Sequence, residues 1–312
     1  MPFNKYPKVK VNSSASCVEG WNAIKTKIES EAKVLKALVI ECYHGVDIDQ
    51  ILDWTKAEFT DATIYDSRQA YKSEKEILEG THSDVTDDRI FGYMTQRSLG
   101  AFFDTDKITT LRNEIDNDAD LSIIIGIGAS LIVEKPDLLI YADMARWEIQ
   151  MRMRRKEVPN IGLSNHQDGF ETHYKRAYFL DWRVCDEHKK KLVSQWDYVL
   201  DTNHHEQPKL ITADMFSAGM EQAVKQPFSV VPFFDPGPWG GQWMREKFDL
   251  DPEPDNFAWC FNCVPEENSL LLDFNGITFE TPSINLVFFK TTALLGEKVE
   301  IPVLGFFMLL LY

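Results

Sequence analysis

Residues 34–59 read VLKALVIECYHGVDIDQILDWTKAEF. The apolar run from Leu35 to Ile40 has the length and the missing alternation of a strand buried on both faces. After it, Ile48, Ile51, Leu52 and Trp54 recur on one helix face, and Asp47 stands where an N-cap accepts the first free backbone N–H groups. Strand, short loop and helix in that order open an α/β fold.

The pattern repeats along the next part of the chain. ATIYDS (62–67) reads as a second strand and SRQAYKSEKEILEG (67–80) as a charged helix. ADLSIIIGIGASLI (119–132) reads as a buried strand entering a glycine turn, and PDLLIYADM (136–144) as a strand feeding the helix ARWEIQMRMRRK (145–156). FSVVPFF (228–234) reads as a fourth buried strand. Alternating strands and helices predict a mainly parallel sheet with helices on both faces. Beyond Pro227 helical patterning stops, and NSLLLDFNGITFETPSINLVFF (268–289) reads as short strands turned by Asn-Gly and Pro. The expected boundary lies near Gln226, between an α/β domain at 1–226 and a β-rich segment at 227–312.

With 312 residues and 44% hydrophobic content the chain can bury a proper core. Its net charge of −16 argues against a nucleic-acid backbone as partner. MPFNKYPKVKVNSSAS, at the N-terminus, carries no apolar core of a secretory signal, so a cytoplasmic address is expected. The five cysteines are an odd set that fits reduced thiols, and the CFNC at Cys260 and Cys263 reads as a strand with small buried thiols. VLGFFMLLLY (303–312) is about half the length a membrane span needs and reads as a buried strand.

The loop ECYHGVDIDQ sits where a phosphate cradle follows the first strand of a P-loop fold. Such a cradle needs several glycines and then Lys and Ser/Thr, whereas here Gly45 is followed by Val46 and Asp47. A carboxylate there repels phosphate, so ATP binding in the usual manner is not expected. GIGAS (126–130) is half of a dinucleotide fingerprint without its third glycine and reads as a tight turn. The helix after Tyr141 concentrates Arg146, Arg152, Arg154 and Arg155, and a second basic cluster holds Lys175, Arg176 and Arg183. These read either as a phosphate cradle or as a solvated face. Asp87 and Asp88 read as capping carboxylates near a helix start rather than a catalytic pair. The pair His204 and His205 reads as a surface loop, since adjacent positions lack helical zinc-site spacing.

Several segments together resemble a family. IGASLIVEKPDLLIYADMARWEIQMRMRR (127–155), YKRAYFLDWRVCDEHKK (174–190), VVPFFDPGPWGGQWM (230–244) and FAWCFNCVPEENSLLLDF (257–274) are similar to the N-terminal portion of long bacterial class I mannose-6-phosphate isomerase-like proteins. The resemblance implies a degenerate P-loop-kinase-like α/β domain, of the uridine-kinase kind, followed by an incomplete cupin-type segment. Trp239, Gly240 and Gly241 match the entry to the sugar-binding domain. Full-length members hold zinc through a Gln-x-His-Pro strand, a glutamate and a further histidine. This chain has no histidine after His205, so neither a metal site nor a cofactor is expected in it.

The expectation is an isomerase-like protein, truncated and inactive alone, with unpaired strands that promote self-association. The alternative is a regulatory module that binds a sugar phosphate or a nucleotide on the arginine helix.

Overall fold

The computed structural model describes residues 4, 6–12, 16–32, 35–226, 231, 247–249 and 267–286. The chain divides into two compact units, one of residues 17–144 and 148–213, the other of residues 1–16, 145–147 and 214–312. In chain order the strands are β1 (Lys8–Lys10), β2 (Val18–Glu19), β3 (Ala37–Cys42), β4 (Ala62–Asp66), β5 (Leu121–Gly126), β6 (Leu138–Asp143), β7 (Tyr198–Asp201), β8 (Lys209–Thr212), β9 (Ser269–Phe274) and β10 (Ile277–Pro282). The helices are α1 (Trp21–Ala32), α2 (Ile48–Glu58), α3 (Glu74–Val85), α4 (Thr105–Asn117), α5 (Ala129–Ile132), α6 (Arg146–Arg154), α7 (Phe170–Arg176), α8 (Trp182–Leu192) and α9 (Ala213–Val224).

The larger unit is an α/β structure on a seven-stranded sheet of order β2-β8-β7-β6-β3-β5-β4. From β7 through β4 the pairings are parallel, and β8 and β2 add antiparallel edges. β3 lies between β5 and β6, with Leu38 opposite both Ile123 and Leu138. Leu38, Val39, Ile40, Ile124 and Ile140 are all buried. Each such side chain contributes roughly 1.5–3 kcal/mol when removed from water. The mostly parallel sheet expected from alternating patterns is therefore present.

Three local features depart from expectation. Residues 67–80 are not one helix: Asp66 caps a 3-10 turn at Ser67–Ala70, and α3 starts after a capping box between Ser73 and Glu76. Tyr71 and Lys72 between them are extended, with Lys72 N donating to Phe102 O. Asp87 and Asp88 follow the end of α3 rather than precede a helix; Asp88 Oδ1 accepts from the N–H groups of Ile90 and Phe91 and closes a turn. Lys175 and Arg176 are buried, not solvated, because α7 runs through a π-turn at Ala177–Asp181 into α8 and buries this stretch. Lys175 Nζ then donates to the carbonyls of Thr86 and Asp88.

In the smaller unit β9 and β10 form the hairpin that Asn-Gly predicts. Asn275 and Gly276 both take positive φ, 56° and 97°, as a primed two-residue turn requires. β1 pairs parallel to β9. Gly219 of α9 lets the helix lie against β9, since a Cβ there would sit 2.6 Å from Leu272. Trp147 Nε1 donates to Ser269 Oγ at 2.7 Å and Glu280 Oε1 at 2.9 Å.

Among the described residues no helix is long and apolar enough to cross a membrane. Trp239, Gly240, Gly241, the CFNC pair, VLGFFMLLLY and all of FSVVPFF except Val231 lie outside the described residues; Val231 bridges to Ser269.

Candidate functional site

A cavity of ≈ 520 Å³ opens in the larger unit at the C-terminal edge of the parallel strands. The loop after β3 and the first turn of α2 supply His44 to Asp49, the stretch after β4 supplies Arg68, Tyr71 and Lys72, and Ile127 comes from the turn after β5. A wall from Glu157 to His166 faces them, with Lys107 from α4 and Arg152 from α6. This edge is where open α/β sheets bind ligands, because the chain leaves β3 in one direction and later returns on its other side.

The loop after β3 shows why this edge is no ordinary phosphate cradle. Asp47 caps α2, its Oδ1 accepting from Gln50 N at 3.0 Å. Its Oδ2 lies 3.2 Å from Arg152 Nη2. Arg152 Nη1 donates to the Gly45 carbonyl, and its Nε reaches Glu157 Oε2 at 3.3 Å. The helix N-terminus, which would attract an anion, thus holds the protein's own carboxylate. Gly45 is needed there: its φ is +101°, and a Cβ would meet Ile149 at 2.5 Å.

His44 is held as a neutral ring. Its Nδ1 accepts from Trp182 Nε1 at 3.2 Å, so Nε2 carries the proton given to Pro159 O at 3.0 Å. Burial pushes its pKa below the usual histidine value, against the opposing pull of Asp181.

Of the four arginines singled out in the sequence, only Arg152 lines the cavity. Arg146 is fully buried at the first position of α6. Arg154 lies over the Phe170 ring at 3.9 Å. Arg155 is exposed and spans Glu148 at 2.8 Å and Glu157 at 2.7 Å. Hydrogen bonding from Arg155, with Arg152 adding, holds Glu157 below the ordinary carboxylate range. The arginine helix therefore does not converge on one anion.

Sequence reasoning missed Arg68, Lys72 and Lys107, which do line the cavity. Arg68 and Lys72 lie in the segment that reads as one charged helix and is broken at Tyr71, while Lys107 comes from the first turn of α4. Arg68 is neutralised by Asp66 and Asp49, and its hydrogen bond holds Asp49 below its ordinary value. The cavity lining carries four permanent cations, Arg68, Lys72, Lys107 and Arg152, against three carboxylates, Asp47, Asp49 and Glu157. Asp66 behind Arg68 brings the carboxylates to four, so the pull on an anionic ligand rests with Lys72 and Lys107, whose ammonium groups donate to carbonyls and not to carboxylates.

GIGAS is a tight turn, and two of its backbone donors are occupied. Gly128 N and Ser130 N donate to the buried Glu41 carboxylate at 2.6 and 2.8 Å. Gly128 takes φ +76°, and a Cβ there would meet the Phe103 ring at 2.3 Å. Ser130 Oγ lies 2.8 Å from His188 Nε2, but Glu41 approaches that same nitrogen at 3.7 Å, so the three do not form a relay through both ring nitrogens. His204 and His205 lie in the loop between β7 and β8. Among the described residues no group of His, Cys, Asp or Glu side chains forms a metal-ligand set.

Fold and site define an α/β protein with a charged cavity at the strand ends and an internally capped loop after β3. Residues 20–225 match the family model described as a domain of unknown function (DUF8485), and the chain belongs to that family. No curated protein matches it.

Proposed function

We propose that the chain is a ligand-binding module on a degenerate P-loop-kinase-like sheet, and that the cavity takes a small phosphorylated ligand of the sugar-phosphate or nucleotide class without transferring its phosphate. One observation carries this: Asp47 caps α2 and pairs with Arg152 where a working cradle would need open backbone N–H groups and a free cation. The strand order β4-β5-β3-β6-β7, with β3 at the centre, supports the kinase-like part. Titration calorimetry on the whole chain with mannose 6-phosphate and magnesium ATP tests the proposal. Binding of a phosphorylated ligand without turnover is expected; heat of binding from neither ligand counts against it. The buried free thiols Cys17, Cys42 and Cys185 suit a reducing, cytoplasmic setting.

A second reading is that residues after 226 begin a cupin-type domain of the mannose-6-phosphate isomerase class, which the Asn-Gly hairpin of β9 and β10 favours. On that reading the chain alone does not isomerise. Zinc-dependent conversion of mannose 6-phosphate to fructose 6-phosphate above a buffer blank would overturn that inactivity, and would support the isomerase class.

A further inference from the structure

The four cavity cations are of two kinds. Arg68 and Arg152 are each held by two carboxylates. Lys72 Nζ instead donates to Ala101 O at 2.8 Å, and Lys107 Nζ to Tyr71 O at 2.7 Å, both neutral carbonyls. Among the described residues neither ammonium has a carboxylate within 4.0 Å. Glu76 acts on Lys107 only through space, its carboxylate being engaged in the capping box with Ser73. An ammonium has three N–H donors, so each lysine keeps charge and donors for a ligand.

Beyond the charged groups the wall is mixed: Ser164 and His166 are polar, and Tyr71, Ile127, Val158, Ile161 and Leu163 supply an apolar part, with the Tyr71 hydroxyl turned to Ile127 O at 3.5 Å. Asn160, the amide among them, is already spent: its Nδ2 donates to His173 O and Asp181 Oδ2, and its Oδ1 accepts from Asn165 Nδ2. A hexose ring set against this apolar part would bury hydroxyls with few partners, at a cost of roughly 1–3 kcal/mol each. A flat, largely apolar group meets no such penalty.

We infer that the cavity holds a phosphomonoester, with its phosphate on Lys72 and Lys107 and a flat group of the nucleobase or aryl kind against Tyr71, Ile127 and Leu163. This rests on the reading above that the cavity takes a phosphorylated ligand.

The test is calorimetry on the whole chain with inorganic phosphate, mannose 6-phosphate, adenosine monophosphate and phenyl phosphate, repeated on Lys72→Met, Lys107→Met, Lys107→Arg and the double Met variant. Adenosine monophosphate or phenyl phosphate should bind about tenfold or more tighter than mannose 6-phosphate, and each Met substitution should weaken it about tenfold. Lys107→Arg should keep most of the affinity, and wild-type affinity should fall with added salt. Preference for the nucleotide identifies a nucleobase, and preference for phenyl phosphate an aryl group. Tightest binding of mannose 6-phosphate overturns the flat-group assignment. Undiminished affinity in the double variant, or affinity indifferent to salt, overturns the lysine assignment and leaves the binding-module reading standing. No binding by any probe overturns that reading itself.

Discussion

Asp47 and Arg152 are 105 residues apart in the chain and 3.2 Å apart in space. Asp47 simultaneously caps α2, and Arg152 is buried beneath the loop that Asp47 ends. The pair joins the first helix after the central strand to α6 at the C-terminal edge of the parallel strands.

Asp47→Ala should remove both roles and lower stability by about 2 kcal/mol, a cap being worth about 1 and the remainder coming from a nearly buried guanidinium left with the Glu157 carboxylate and the Gly45 carbonyl. Asp47→Asn keeps a capping oxygen and should cost about half as much. Urea midpoints of the two variants check the order; equal losses would mean that the cap contributes nothing.

Glu41→Ala should be more damaging. The carboxylate serves two buried backbone donors, Gly128 N and Ser130 N, and leaving both without an acceptor costs about 3 kcal/mol. Urea unfolding measures the loss, and hydrogen exchange at Gly128 and Ser130 should speed up in the same variant.

His44 should make stability depend on pH. In the unfolded chain a histidine takes a proton near 6.5, while burial lowers the folded value. The unfolded state therefore binds more protons below about 6.5, so the contribution is fully present above that pH and is lost as pH falls toward the folded value. Urea midpoints between about pH 5 and 8 should fall on the acid side for the wild type. A His44→Gln variant should show a shallower fall, and an unchanged slope would remove His44 as the cause.

Cys17, Cys42 and Cys185 should resist alkylation in the native protein. Burial pushes the Cys17 thiol up to about 12, with Asp201 adding, and burial raises Cys42 and Cys185 well above the ordinary value. Thiolate is the reactive form. Peptide mapping after iodoacetamide treatment at mildly alkaline pH should find all three unmodified, and modified in urea. Native modification of Cys42 would contradict the buried strand end.

Four of the seven strands, β3 to β6, were legible in the sequence, because β3, β5 and β6 are buried on both faces and read as unbroken apolar runs; β2, β7 and β8 have four residues or fewer and gave no such run. The Asp47 cap was legible as well, from its place one residue before the helical face. In the site, what stayed hidden was long-range. Nothing local tells that Arg152 turns to Asp47 while Arg154 stacks on Phe170, or that Lys72 and Lys107, 35 positions apart, meet one cavity. The α7–α8 stretch was missed for a related reason: its lysines and arginines mask an apolar face whose burial only the π-turn and its carbonyl partners explain.

On the proposed function the loop after β3 does not support phosphoryl transfer, whereas the cavity beside it binds a phosphorylated ligand. The decisive measurement is incubation of the whole chain with γ-labelled ATP and magnesium, followed by counting of label released or transferred. No label movement above a protein-free blank is expected. Label movement that requires the protein and is abolished by Arg152→Gln would contradict it.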